Sequence, residues 1–321
     1  KYFLIGRGLT NLINKIDYAT MTITKRWRQF FVETARAELF PTEIELKDYT
    51  TFGVGGKAKN AFFPTNIKQL EKIIFLSKCY GLPYYVLGRG SNTLASDDGY
   101  GGVLIALRNN FSQIDFKGET ITAQAGALTC QLAKLACEKS LCGAEFLALL
   151  PASVGGAVTM NAGCFGYSFS DLIVSVEATN GNGIEIFTAN KCGFGYRKSI
   201  FQENGYVIGS VKLKLKRADK QNIETLTSSL RAKKYSQPLG ERTAGSVFLN
   251  GEIPSAKLID ECGLKGFKLG GAEISAKHAN FIVNKSNATQ KDISTLIDIV
   301  KNTVFEKKGI ILNTEIKFLG D

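Results

Sequence analysis

The 321-residue chain holds one histidine (His278), one tryptophan (Trp27), two methionines and six prolines. With a single histidine and seven cysteines (Cys79, Cys130, Cys137, Cys142, Cys164, Cys192, Cys262), none of them in a CxxC pair, there is no obvious zinc set. The same scarcity makes a Ser-His-Asp nucleophile a poor reading, because it would have to recruit His278 together with an acid. No run approaches the roughly 18 apolar residues of a transmembrane helix, and there is no internal repeat or low-complexity tract. Most of the cysteines sit among apolar neighbours, where a free thiol behaves as a small hydrophobe. Reduced thiols without disulfides are therefore expected, and with them a cytoplasmic protein.

What is present is ordinary in bulk and distinctive in detail. Hydrophobic residues make up 44% and charged residues 21%, the balance of a soluble protein with two or three domains. The net charge is +11, spread along the chain with no basic tail. Such an excess suits a polyanionic small substrate as well as a nucleic acid. A nucleic-acid module ranks last, because no basic cluster is interleaved with aromatics.

Two glycine-rich stretches organise the rest. The longer is Leu150 to Asp171, LPASVGGAVTMNAGCFGYSFSD, uncharged until its last residue. The shorter is Leu87-Gly88-Arg89-Gly90-Ser91-Asn92, which directly follows the apolar run from Tyr84. Glycine lets a backbone turn sharply and approach a bound group, and successive N–H groups in a turn form an anion-binding concavity. Two phosphate-sized cradles point to a dinucleotide-like cofactor; two ordinary tight turns are the bland alternative. A GxGxxG dinucleotide fingerprint would need a helix directly after the shorter turn. Asp97, Asp98, Gly99 and Gly101-Gly102 intervene, so a Rossmann domain is disfavoured.

The two motifs in order, GxGSN then PxxxGGAxxxNAG, resemble the flavin-binding half of the UDP-N-acetylenolpyruvoylglucosamine reductases. These are the second-step enzymes of peptidoglycan precursor synthesis. The resemblance runs from about residue 45 to the end. It implies an α+β fold: a two-subdomain FAD-binding module of the vanillyl-alcohol-oxidase-like type plus a C-terminal α+β substrate-binding domain. It implies non-covalent FAD, with NADPH as hydride donor. The flavin contacts would come from Gly53, Gly55 and Gly56, from Leu87 through Asn92, from Pro151, Ala152, Ser153, Val154, Gly155 and Ala157, and from Asn161, Gly163 and Ile208.

The expected organisation is a helical N-terminal extension (1–42), two FAD-binding subdomains (43–109 and 110–218), a substrate-binding domain (219–310) and a C-terminal strand returning to the flavin (311–321). In the extension, the basic residues Lys1, Arg7, Lys15, Lys25, Arg26 and Arg28 accompany Trp27. Lys25 to Phe40 reads as an amphipathic helix packed on the main body, with Trp27, Phe31, Ala35 and Leu39 on one face beside Phe30. A membrane-surface helix is the weaker alternative, since Glu33, Glu38 and Glu43 dilute its charge. Further helices are expected at about Ile67–Tyr80, Leu128–Ser140, Asn222–Lys234, Ser255–Cys262 and Thr289–Lys307. Strands are expected at Phe62-Phe63, Tyr84–Leu87, Val103–Leu107, Ile114–Phe116, Thr120–Gln124, Ile173–Thr179, Gly183–Thr188, Tyr206–Leu215, Gly245–Leu249, Asn280–Val283 and Ile311–Phe318.

Three residues stand out as candidates for chemistry. Arg197, in FGYRKSIF, has few acids near it in sequence; buried, it would need an anionic partner, while a solvated surface arginine is the alternative. Ser246, in ERTAGSVFLNG, begins a strand where a hydroxyl can be held rigidly, though ordinary turn serines look the same. Glu315, in LNTEIKFLG, faces the side opposite Thr314 and Ile316 and could equally be an edge-strand surface residue. The family's YRxSxF, AGSxFxN and terminal-glutamate motifs fall on these positions. The resemblance implies that Ser246 is the general acid, with Arg197 and Glu315 stabilising developing negative charge. It further implies that Phe165, Tyr196, Arg231, Lys234, Asn250 and Asn280 contact the substrate, a UDP-linked enolpyruvyl amino sugar. A lone histidine is more often structural, and His278 is not assigned to catalysis. No metal, nucleic-acid partner or integral membrane association is expected; a monomer is expected, with a dimer left open.

The chain departs from the family pattern in several places. Ala152 replaces a glycine, which is tolerable if its φ is negative. Phe165 replaces a tyrosine and loses one hydroxyl. Gly251 replaces the proline after Asn250. The short segment from Phe201 to Pro238 has no tyrosine-bearing loop, which matches the subclass lacking a substrate-covering loop and implies a more open cleft. Related flavoproteins sometimes attach flavin covalently through cysteine, and Cys164 is the one thiol close to the longer glycine motif. Another flavin oxidoreductase on the same scaffold, or a degenerate flavin- or nucleotide-binding protein, remain the alternative readings.

Overall fold

A computed structural model describes residues 25–238 and 240–320. Lys1, Arg7 and Lys15 of the expected extension lie outside the described residues. The extension's helix runs Lys25–Arg36 and stops short of the expected Phe40, because Glu38 adopts a left-handed φ of 58°. Phe30 and Thr34 are its fully buried residues, Phe30 meeting Phe62 edge-on at 5.7 Å between ring centres, while Trp27 and Phe31 pack partly buried beside it. The buried stripe thus turns from the expected Trp27–Phe31–Ala35 line toward Phe30 and Thr34. The helix is docked on the body, as expected.

Strands β1 (Thr42–Glu45), β2 (Lys57–Phe62), β3 (Tyr84–Leu87), β4 (Thr93–Ala95) and β5 (Val103–Ala106) build the first subdomain. Its sheet has the order β1-β2-β5-β3, with β1 antiparallel to β2 and the other pairings parallel. The helix Ile67–Cys79 supplies the crossover. Asn66 caps it by accepting from the amides of Lys68 and Gln69. β5 is buried along its whole length, as a parallel strand covered on both faces must be.

The second subdomain is a five-stranded antiparallel sheet in the order Ile184–Thr188, Ile173–Thr179, Val207–Lys214, Thr120–Gln124, Ile114–Lys117. One large apolar core joins this sheet, the helix Thr129–Glu138, the helix Ile67–Cys79 and the N-terminal helix.

The C-terminal unit packs the helices Ser255–Glu261 and Gln290–Lys308 against a small antiparallel sheet of Lys268–Leu269, Ala272–Ile274 and Ile282–Asn284. Its core takes in Phe52, Val54 and Leu94 from the first subdomain, so the two are packed as one body. Polar contacts reinforce that seam. Asn284 Nδ2 donates to the Phe52 carbonyl at 2.9 Å, and the Asp97 carboxylate accepts from the Gln290 amide at 2.8 Å.

Two expected strands are not regular. Residues 245–249 make only single-residue bridges, Ser246 to Phe281 on one side and Phe248 to Thr314 on the other. Gly245, at φ 79°, also interrupts the extended backbone. The final strand is confined to Lys317–Leu319, which pairs in parallel with β4. In the other direction, the glycine-rich stretch read as turns contains a helix, Val154–Thr159. Gly155 is required there by packing, because a Cβ would sit 2.7 Å from that of Ala125.

Candidate active site

The two glycine-rich motifs meet. A Cβ at Gly88 would collide with the Ser153 hydroxyl, so the absence of a side chain is what lets the Gly88 turn and the start of the Val154–Thr159 helix touch. Among the described residues, the amides of Arg89, Gly90, Ser91 and Asn92 donate to no protein acceptor. Four successive N–H groups without protein partners are the donors that an anion concavity needs. The residues present therefore fit a flavin dinucleotide. Gly56 is accounted for differently, since a Cβ there would meet the Asp97 carbonyl and its need for glycine is met by the protein itself. Ala152 has no left-handed φ, so its methyl group is accommodated. Its carbonyl accepts from the amide and the hydroxyl of Thr129, both at 3.1 Å.

Gly88→Ala is expected to strain this junction by about 1–3 kcal/mol and to lower flavin occupancy. Adding Ser153→Ala removes the colliding hydroxyl and leaves a tolerable 3.2 Å contact to Cβ. The double variant should then retain more flavin at 450 nm (approximate, for any flavin) than the single one.

Arg197 and Glu315 meet from separate segments, and the segment carrying Ser246 is bonded to Glu315 through its backbone. Arg197 Nε donates to Glu315 Oε1 at 3.0 Å, and its NH2 donates to the Gly163 carbonyl at 3.0 Å. The Glu315 amide donates to the carbonyl of Val247, the residue after Ser246, at 2.8 Å. Asn92 Nδ2 donates to the Glu315 carbonyl at 3.0 Å. A line of polar contacts thus runs from the first glycine turn, through Glu315 and Arg197, to the second glycine motif.

Arg197 occupies a left-handed φ of 53°, unusual for a non-glycine residue. Its loop is fixed by Gln202, whose Nε2 donates to the carbonyls of Arg197 (2.9 Å) and Thr159 (3.1 Å). Ser199 Oγ donates to the same Thr159 carbonyl at 2.6 Å. A strained residue held by its neighbours is a feature of functional loops. Gln202 was not identified from sequence, although Ser199 belongs to the YRxSxF string that pointed to Arg197.

Burial pushes the Glu315 carboxyl above the usual carboxylate range, with the Arg197 guanidinium opposing it. The Lys234 ammonium, buried just past the helix Lys220–Lys233, is pushed below its usual value by burial; Arg197 adds to that shift and Cys164 opposes it. Lys234 Nζ donates to the Leu149 carbonyl at 2.7 Å, directly before the longer glycine motif. Arg231 is exposed, and it is Lys233 that stands over the Phe165 ring, at 5.8 Å. Phe165 (39% exposed) and Tyr196 (62% exposed) present their rings to solvent, Tyr196 beneath the Arg197 guanidinium at 5.4 Å. Burial holds the Cys164 thiol above its ordinary value, against Lys234 and Arg197, which disfavours the reactive thiolate.

Two expected substrate contacts have other partners. Asn280 is buried, and its amide makes a reciprocal pair with the Phe248 backbone, accepting from N at 2.9 Å and donating to O at 2.8 Å. Its side chain holds the Ser246 segment in place. Asn250 Oδ1 accepts from the Ser255 amide at 3.0 Å, tying down the turn that carries Gly251 in place of proline. Asn280→Leu should leave two buried backbone groups unpaired. It should lower stability by about 3 kcal/mol and the melting midpoint by roughly 5–10 °C, measurable by calorimetry.

His278 packs edge-on against Phe281 at 4.8 Å, and its Nδ1 is buried without a partner. It makes no hydrogen bond to Ser246, so no Ser-His pair exists. Among the described residues, no group of three or more His, Cys, Asp or Glu side chains could hold a metal, and no helix is long and apolar enough to cross a membrane.

Comparison with known proteins agrees with this geometry. Residues 58–188 match the model of an FAD binding domain, and residues 237–319 match that of the UDP-N-acetylenolpyruvoylglucosamine reductase C-terminal domain. The UDP-N-acetylenolpyruvoylglucosamine reductase of Alkaliphilus oremlandii is 39% identical over 279 residues, 86% of this chain and 92% of the relative. That of Rickettsia prowazekii is 38% identical over 284 residues, covering 88% and 96%. The crystal structure of the UDP-N-acetylenolpyruvylglucosamine reductase from Thermus caldophilus matches with a TM-score of 0.77 at 35% identity, over 88% of this chain and 99% of that one. With paired glycine motifs joined to an arginine, a serine and a glutamate from separate segments, the chain belongs to the UDP-N-acetylenolpyruvoylglucosamine reductase family.

Proposed function

We propose that this chain reduces the enolpyruvyl ether of UDP-N-acetylglucosamine to UDP-N-acetylmuramate, using FAD and NADPH, in peptidoglycan precursor synthesis. The observation that carries this reading is the line of contacts from Asn92 through Glu315 and Arg197 to Gly163, with the Ser246 segment hydrogen-bonded alongside. FAD, which the glycine stretches at 87–92 and 150–163 would hold, would supply the hydride-transfer chemistry between NADPH and the terminal carbon of the enolpyruvyl group.

The protein's own groups handle the charge and the proton. Hydride addition to a carboxyvinyl group places negative charge on the carbon beside the carboxylate and on the carboxylate itself. Arg197, with guanidinium donors fixed by Glu315 and Gly163, is the cation for that charge. Glu315 orients Arg197 by accepting from its Nε. Ser246 donates a proton to the adjacent carbon. A serine is a weak acid, so it can act only where that carbon is strongly basic and the resulting alkoxide is stabilised. Lys234 and Arg231 are assigned to the nucleotide diphosphate, and Phe165, Tyr196 and Asn250 to the sugar–nucleotide body. The protonated, half-buried state favoured for Cys164 supports non-covalent FAD.

The mixed four-stranded sheet set beside a five-stranded antiparallel sheet supports the vanillyl-alcohol-oxidase-like type of flavin module. The helix Lys220–Lys233 follows the second subdomain with only a short link, which supports the open-cleft subclass. A nucleotide-sugar substrate and NADPH as reductant support a cytoplasmic enzyme.

Mass spectrometry of the product tests this reading. In D2O with unlabelled NADPH, the nucleotide should gain two hydrogens, with deuterium on the carbon bearing the carboxylate. An unchanged nucleotide, or exchange without reduction, contradicts it.

A further inference from the structure

Arg108 lies two residues after the end of β5 and outside every motif considered above. Its guanidinium sits 4.4 Å over the Tyr49 ring, and its NH2 donates to the carbonyls of Tyr49 (3.3 Å) and Arg89 (3.4 Å). Arg89 is the central residue of the first glycine turn, so Arg108 is anchored to that turn, one residue from the unpartnered amides of Gly90 and Ser91. A guanidinium has five N–H donors. Those on Nε and NH1 meet no acceptor, and no carboxylate pairs with Arg108, among the described residues. Burial, and after it the charge of Arg89, pushes the Arg108 guanidinium below its ordinary value. A half-buried cation beside a like charge, with no acid, is costly unless an anion completes the site.

We propose that Arg108 is a cofactor-positioning residue that clamps the diphosphate of FAD against the amides of Arg89 to Asn92. Tyr49 orients the guanidinium from beneath, and the Arg89 carbonyl fixes its edge. The forked donors left over match phosphate oxygens, which arginine binds bidentately. The clamp rests on FAD occupying the glycine turns and adds to it a residue that distinguishes a phosphorylated flavin from a bare one.

The test uses the full-length protein, stripped of flavin and offered FAD or riboflavin, with binding read by quenching of flavin fluorescence. Arg108→Met should weaken FAD by about ten- to a hundred-fold, leave riboflavin affinity unchanged and flatten the salt dependence of FAD binding. Arg108→Lys should fall between Arg108→Met and the unaltered protein, because it keeps the charge and loses the fork. The rate of FAD release from the holoprotein on dilution should rise in the same order. Unchanged FAD affinity in Arg108→Met overturns the clamp, as does equal loss of FAD and riboflavin, which would make Arg108 structural. If the unaltered protein takes up no flavin, the cofactor reading falls and the clamp falls with it.

Discussion

Replacing Ser246 with alanine is expected to leave reduction of bound flavin by NADPH near its original rate and to slow reoxidation by the enolpyruvyl nucleotide by at least about a thousandfold. Loss of one well-aimed polar group commonly costs roughly 10²–10³ in rate, and loss of the proton donor itself can cost more. The asymmetry follows from the chemistry, because the first half-reaction moves hydride with no proton delivered to carbon, whereas the second ends with one. The fold should tolerate the change. The segment is held by backbone bonds, Val247 N to Asn280 O at 2.8 Å and Glu315 N to Val247 O at 2.8 Å, and by the Asn280 amide on Phe248. None of these uses the Ser246 hydroxyl. Stopped-flow traces of the two half-reactions decide the matter. Equal loss of both would mean a misassembled site and would defeat the assignment of Ser246.

Arg197→Met is expected to lower turnover with substrate by about 10²–10³ and, separately, to make stability more sensitive to pH. In the native site Arg197 opposes the upward shift that burial imposes on Glu315. Without the guanidinium, that carboxyl rises further. A carboxyl whose folded pKa is raised binds its proton more tightly in the folded state. Its contribution to stability is therefore present below the unfolded pKa and lost as pH rises through the folded one. The variant should lie nearest the unaltered protein in mild acid and fall away toward neutral pH, where an unpaired buried carboxylate costs about 2 kcal/mol. Arg197→Lys should recover part of the stability but less of the activity, since one ammonium cannot reach both Glu315 and Gly163. Melting midpoints across that pH range, set beside single-turnover rates, separate the two roles. A penalty independent of pH would argue against the coupling of Arg197 to Glu315.

The elements written most clearly in the sequence were those with local signals. Asn66 before Ile67 and Thr289 before Gln290 are side-chain caps, and the Ile173–Thr179 strand has the expected bounds. The regions that differed depend on distant partners. The 245–249 segment is extended, but its pairing alternates between Phe281 and Thr314 one residue at a time, which no periodicity in its own residues reveals. The Val154–Thr159 helix was hidden because two glycines in six residues read as turns, while the need for Gly155 comes from Ala125 across the core. At the site, motif residues were legible because chemistry fixes their type. Gln202 and Arg108 were not, since each acts through carbonyl groups that only the fold brings within reach. Asn280 has a structural part that its sequence neighbours did not reveal, since its amide pairs with the backbone of Phe248, 32 residues away.

The most direct test of the central claim is a visible absorption spectrum of the purified protein, recorded anaerobically as NADPH and then the enolpyruvyl nucleotide are added. Bands at about 370 and 450 nm, as for any oxidised flavin, should bleach with NADPH and return in full with the nucleotide. A flavin that bleaches and is not reoxidised by that nucleotide would contradict the assigned reaction and leave a reductase of another substrate. A colourless protein that also fails to take up added FAD would contradict the flavin site itself.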